Sequence, residues 1–185
     1  HLYARRQRQM CIRDSYGAQL AAYLGIPYCF AHFITDGQGL KEALDIYRSE
    51  FRPSKKFPKP LVNVCMWALT ANTNEEAKYL FASRAAWKIG RNYGQLGSIT
   101  DPDNALSIIN DNGWTEQYQN MYQNSLVGDA NITKDKISKL VEENNIDEIA
   151  ILTWCHNENH RIKSYEIFAN AFELSEKRKP EKSVV

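Results

Sequence analysis

The sequence predicts an α/β fold, with parallel strands inside and helices outside, and three observations carry that prediction. Helical and strand-like segments alternate strictly along the chain. The strand-like segments are continuous apolar runs, which mark strands covered on both faces. Glycine and proline stand where a helix hands over to a strand. Three such strands alone make a poor parallel sheet. The pattern therefore fits either a small open sheet or part of a barrel. A complete (β/α)8 barrel takes about 250 residues, whereas this chain has 185.

The elements follow in order. Residues 16–24 place Tyr16, Leu20, Tyr23 and Leu24 at helical spacing. Gly25 is a natural helix stop, and Pro27 prevents continuation. Residues 26–34 form the first apolar run, and Thr35-Asp-Gly-Gln-Gly39 reads as a turn. Residues 40–51 form an amphipathic helix, with Leu40, Ala43, Leu44, Tyr47 and Phe51 on one face. A proline-rich loop to Pro60 precedes the second run, residues 61–69. Thr73 and Glu76 then make a capping box for a helix reaching about Gly90. Residues 91–125 are irregular, with short helices expected at 104–110 and 115–124. A clear helix over 134–144 follows, then the third run at 147–154. Residues 164–174 lie in the last helix, and a charged tail occupies 176–185.

Composition narrows the class. The net charge of +1 argues against a general nucleic-acid binder. No apolar run reaches the length of a membrane span. The four cysteines (Cys11, Cys29, Cys65, Cys155) lack CxxC spacing, which reads as reduced thiols in a cytoplasmic protein. Residues 1–14 differ from the rest, holding four arginines (Arg5, Arg6, Arg8, Arg13) and no lysine. They fit a basic arm, an Arg-rich transit segment, or a leader foreign to the remainder. The last reading is favoured, so they are set aside and the domain is expected over 15–175.

From Ser15 onward an ordered series of short motifs stands out. It runs through Tyr16-Gly-Ala-Gln-Leu-Ala-Ala22, Leu24-Gly-Ile-Pro-Tyr-Cys-Phe-Ala-His32, Tyr47-Arg-Ser-Glu-Phe-Arg-Pro-Ser54 and Lys59-Pro60. It continues with Ala71-Asn-Thr-Asn-Glu-Glu-Ala77, Ser125-Leu-Val-Gly-Asp129, Asp147-Glu-Ile149 and Arg161-Ile-Lys-Ser-Tyr165. Each piece is weak alone. In this order the series resembles the luciferase-like flavin-dependent monooxygenases, particularly the bacterial group related to alkanal monooxygenase. The resemblance implies a (β/α)8 barrel that binds reduced FMN, of which this chain is the C-terminal portion. Residues 26–34, 61–69 and 147–154 resemble barrel strands six, seven and eight, and 91–125 resemble the family's insertion. Strand edges would then stand open at 26–34 and 147–154, which predicts aggregation or a homodimer.

The same resemblance points to site residues. Ser15, Tyr16 and Gly17 open the first helix, where that family holds the FMN phosphate. Free N–H groups and the positive end of the helix dipole suit an anion there; the bland alternative is a simple helix cap. His32 stands near the C-terminal end of its strand, where barrel active sites sit. A base there can bind or relay a proton during oxygenation; a packed histidine is the alternative. Asn63, Cys65 and Trp67 alternate with Val62, Val64 and Met66, so the polar-containing set is expected to face the lumen, with Trp67 walling a substrate pocket or packing the core. Cys155, His156 and His160 lack the partners of a zinc site, so no metal is expected. Arg161 is read as a salt-bridge or carbonyl partner. The implied activity is transfer of one oxygen atom from O2 to a small organic substrate, with reduced FMN delivered by a separate flavin reductase. A non-catalytic flavin-binding or oligomerisation module on the same half-barrel is the alternative.

Overall fold

A computed structural model describes residues 10–12 and 15–174. Most of the arginine-bearing leader and the charged tail therefore lie outside the described residues. Residues 10–12 of that leader form a strand. The architecture is α/β, and every strand pairing is parallel. The described residues divide into two compact units, one made of those up to 67 with 138–152, the other of 68–137 with those from 153 onward.

In the first unit, β1 (Met10–Ile12) pairs with β2 (Tyr28–Ala31). β2 in turn pairs with β3 (Val62–Thr70), in register Tyr28↔Val62 through Ala31↔Cys65. The other edge of β3 takes β5 (Glu148–Leu152), with Asn63↔Glu148 and Trp67↔Leu152 opposite one another. β2 is therefore an interior strand, not the open edge expected from sequence, because β1 covers it. It is also shorter than the apolar run. The chain leaves extended geometry at His32 and makes a single helical turn, α2 (His32–Thr35), closed by Asp36 in the left-handed region.

Two helices cover one face of these strands. α3 (Leu40–Glu50) buries Leu40, Ala43, Leu44 and Tyr47, the face its periodicity predicts. α1 (Ser15–Leu24) does not bury its predicted face. Tyr16, Tyr23 and Leu24 are exposed, whereas Ala18, Ala21 and Ala22 are fully buried. The small residues let the helix approach α3 and β2 closely, a fit that large side chains would prevent. The Arg52 guanidinium covers the ring of Tyr23 at 4.2 Å. Gly25 ends α1 at φ +60°, and a Cβ there would lie 2.3 Å from the Arg52 carbonyl oxygen. Tyr47 ties this packing together: its hydroxyl donates to the Ile26 carbonyl at 2.9 Å and accepts from the Leu61 N–H at 3.2 Å.

In the second unit, the last residues of β3 (Ala68–Thr70) pair with β4 (Leu126–Gly128), a strand the periodicity did not reveal. Its three residues are fewer than hydrophobic alternation needs to show itself. α4 (Asn74–Asn92) starts at Thr73, whose side chain accepts from the Glu76 N–H at 3.1 Å. The Glu76 carboxylate accepts from the Asn72 N–H instead of closing the box on Thr73. α5 (Pro102–Asp111) and α6 (Thr115–Asn124) pack on α4. α7 (Ala130–Asn144) begins here and ends in the first unit, and α8 (Glu158–Ala171) closes the described chain. The Thr70 N–H donates to Ser164 Oγ of α8, and Thr153 Oγ1 donates to the Ala68 carbonyl. No described helix is long and apolar enough to cross a membrane.

Candidate functional site

Parallel strands that feed helices leave their C-terminal ends free of connections within the sheet, and sites collect there. In the first unit the C-terminal end of β2 carries His32. The register sets Ala31 beside Cys65, so the turn that begins at His32 starts next to the segment Cys65–Trp67 of β3.

One face of these strands carries the polar groups. Cys29 Sγ donates to Asn63 Oδ1 at 3.1 Å, and Asn63 Nδ2 donates to Glu148 Oε2 at 3.0 Å. This chain of contacts crosses β2, β3 and β5. Alternation puts Cys65 and Trp67 on the same face as Asn63. On the opposite face Tyr28, Phe30, Val64 and Met66 are fully buried. The predicted division of β3 into a polar-containing and an apolar set thus appears in the structure. Glu148 is the member sequence reasoning missed. It opens an apolar run and reads as a strand flank, and only the register pairs it with Asn63.

His32 is 8% exposed. Its ring lies against the turn that follows: a Cβ built on Gly37 would fall 2.6 Å from Nε2 and 2.9 Å from Cδ2. The Gly37 N–H donates to the His32 carbonyl at 3.2 Å, so the turn folds back over its own first residue. Trp67 is 3% exposed. Ser15 opens α1 as expected; Tyr16 is exposed and Gly17 buried. The first turn of α1 holds no acidic residue, unlike those of α3, α4, α5, α6 and α8. Trp67 thus falls on β3 and His32 in the turn that follows the neighbouring strand β2, while Ser15–Gly17 fall on the helix that leads into β2.

In the second unit two cavities are described, and neither is lined by these residues. One, of about 220 Å³, lies between α4 and residues 95–100. The other, of about 170 Å³, is lined by Ser83, Asp101, Cys155, His156 and His160 among others. Burial pushes the Cys155 thiol up to about 11, with the Arg161 charge pulling weakly the other way. Hydrogen bonds from Asn104, backbone first, hold the Asp101 carboxyl below its usual value. Arg161 pairs with Glu158 at 2.8 Å. Among the described residues no group of three or more His, Cys, Asp or Glu is placed to hold a metal ion.

The scaffold is a parallel α/β one, with a buried histidine just past the end of β2. Comparison with known proteins narrows that description. The chain is 34% identical over 157 residues to a luciferase-like monooxygenase of Escherichia coli strain K12, which covers 82% of this chain and 45% of that protein. It therefore belongs to the luciferase-like monooxygenase family. It is also 28% identical over 163 residues to the uncharacterized protein YddN of Bacillus subtilis. The chain spans under half the length of these relatives. Among solved structures, apo-MsnO8 superposes with a TM-score of 0.79 at 24% identity, over 94% of this chain and 54% of that one. The oxygenating constituent of 3,6-diketocamphane monooxygenase from Pseudomonas putida, solved in complex with FMN, gives 0.56 at 16% identity, over 88% of this chain and 46% of that one. At these identities the two structures speak for the fold. No protein-family model matches the chain.

Proposed function

We propose that this chain is the C-terminal part of a flavin-dependent monooxygenase in which β2, β3 and β5 serve as strands six, seven and eight of a (β/α)8 barrel. The observation that carries this reading is the family relationship, extending over 157 residues. The FMN complex of the P. putida enzyme supports flavin as the cofactor. Under this reading Ser15, Tyr16 and Gly17 hold the FMN phosphate. The residue types fit that group: a serine at the helix start, the positive end of the helix dipole, and no carboxylate in the first turn to compete. Bound reduced flavin would supply the capacity to activate O2, delivered as FMN from a separate reductase in the cytoplasm.

The protein's own residues then bind, orient and dry the reaction. His32 is the base. Its ring, held by the Gly37 turn, keeps a proton-transfer group at a strand end and away from bulk water. Trp67 walls the substrate side on the Asn63–Cys65 face. The substrate is a small organic molecule.

The test is titration of the full chain with FMN and with riboflavin, read by flavin fluorescence. Tighter binding of FMN, lost in Gly17→Asp, is expected; equal binding of the two flavins counts against a phosphate site at α1. A second reading, a non-catalytic flavin-binding or dimerising module, draws on one feature. β5 buries none of its five residues fully, although three of them are Ile149, Ile151 and Leu152. Sedimentation separates the two readings, since a concentration-dependent dimer that binds FMN yet shows no reductase-coupled oxygenation favours the module.

A further inference from the structure

The cavity of about 170 Å³ in the second unit belongs to none of the groups assigned above. Two helices begin at it. α5 starts at its wall with Asp101 and Pro102, and α8 starts there with Asn157, following Cys155 and His156. A helix start presents N–H groups with no intrahelical acceptor and a positive dipole end.

The two starts are served differently. α5 has a built-in anion: Asp101 Oδ1 accepts from the Asn104 N–H at 3.0 Å, and Oδ2 accepts from Asn104 Nδ2 at 2.5 Å. That carboxylate is spent on its own helix. α8 has only a neutral cap, as Asn157 Oδ1 accepts from the Asn159 N–H at 2.8 Å. Its first-turn acid, Glu158, is ion-paired with Arg161. The N–H groups of Glu158 and His160 fall among those a helix leaves without an intrahelical acceptor.

A separate observation points to a ligand. Ser83, on α4, lines the same cavity and is 1% exposed, yet its hydroxyl has no hydrogen-bond partner. A buried hydroxyl left unpaired is costly, and native structures rarely tolerate it without cause. His156 and His160 add two further donors on the same wall.

We propose that this cavity is a binding site for a small oxyanion, such as a phosphate group. The start of α8, the Ser83 hydroxyl and the His156 and His160 imidazoles donate to it. The inference is independent of the flavin reading, which places its phosphate at α1.

The experiment is a titration of the ¹⁵N-labelled full chain with inorganic phosphate, against sodium chloride at matched ionic strength, read by amide NMR. Saturable shifts at Ser83 and at Glu158–His160, unmatched by chloride, are expected. Ser83→Ala and His160→Gln should each weaken phosphate by about tenfold, the loss of one charge-assisted donor. Ser83→Ala also keeps the test sound, because removing an unpaired hydroxyl leaves the fold intact. FMN and riboflavin form the remaining arms. Shifts at α8 with FMN but not riboflavin assign the site to the phosphate of a larger ligand, and shifts with inorganic phosphate alone assign it to the free ion. No saturable shift, or shifts that both variants leave unchanged, overturns the proposal. If FMN perturbs Ser15–Gly17 while phosphate leaves α8 untouched, the flavin reading stands and this one falls.

Discussion

The ends of β2 and β5 both lead into histidines, and the two ends are built in opposite ways. At the end of β2, His32 is buried and its ring is pressed against the backbone of Gly37. Past the end of β5, His156 and His160 line a cavity beside an unpaired serine hydroxyl. The first arrangement spends packing to hold one ring in one place. The second leaves donors converging on space. A group that must act on a bound cofactor needs the former, and a group that must receive a ligand needs the latter.

The largest effect is expected where the contrast is sharpest. Gly37→Ala adds a Cβ 2.6 Å from His32 Nε2, at a residue with φ +89°. Strain and overpacking together should cost about 3 kcal/mol in urea unfolding and shift the His32 ring resonances. A variant as stable as the parent, with an unmoved His32 signal, would show that the turn does not hold the ring. Next in size is Tyr47→Phe, which strips an acceptor from the Leu61 N–H and a donor from the Ile26 carbonyl. About 2 kcal/mol of destabilisation is expected by the same assay. A loss below about 0.5 kcal/mol would mean that water replaces the hydroxyl without penalty.

The cavity end should respond in the other direction. Ser83→Ala deletes a buried hydroxyl that satisfies nothing within the protein. In phosphate-free buffer its stability should equal the parent's or exceed it by up to about 1 kcal/mol. Destabilisation of the kind seen for Tyr47→Phe would show instead that Ser83 makes a structural bond, and the contrast between the two ends would collapse.

The same contrast explains what the sequence disclosed. Long apolar runs and capped helices were legible because their signals are local: the buried face of α3 and the Thr73 cap appear where spacing puts them. The α1 face was misread because hydrophobicity ranks tyrosine and leucine above alanine. Close helix packing prefers small residues, so Ala18, Ala21 and Ala22 went inside. β4 and the cut-off of β2 at Ala31 depend on tertiary pairing and on a turn, neither of which writes a periodicity. The candidate residues Ser15–Gly17, His32 and Trp67 were named from family resemblance. The Asn63–Glu148 pair and the convergence of Ser83, His156 and His160 join residues far apart in sequence. Only the fold could bring them together.

The smallest effect concerns alkaline pH, and it sharpens the comparison by giving each unit its own reporter. Burial raises the Tyr118 hydroxyl from 10.0 to about 12, with the neighbouring Tyr122 adding to the rise, and burial also raises Tyr47. Each folded phenol keeps its proton after the unfolded one has lost it. Their stabilisation is therefore complete below pH 10 and declines as pH climbs; for Tyr118 the decline spans about pH 10 to 12. Tyr118 Oη donates to the Lys78 carbonyl at 2.8 Å, so Tyr118→Phe should lower stability at neutral pH by about 1 kcal/mol. It should also flatten the alkaline decline, because phenylalanine has no proton to lose. If urea midpoints of Tyr118→Phe fall as steeply above pH 10 as the parent's while Tyr47→Phe abolishes the slope, alkaline sensitivity resides in the first unit alone. The two buried tyrosines thereby test whether the strand-end unit or the helical unit gives way first as their phenols ionise.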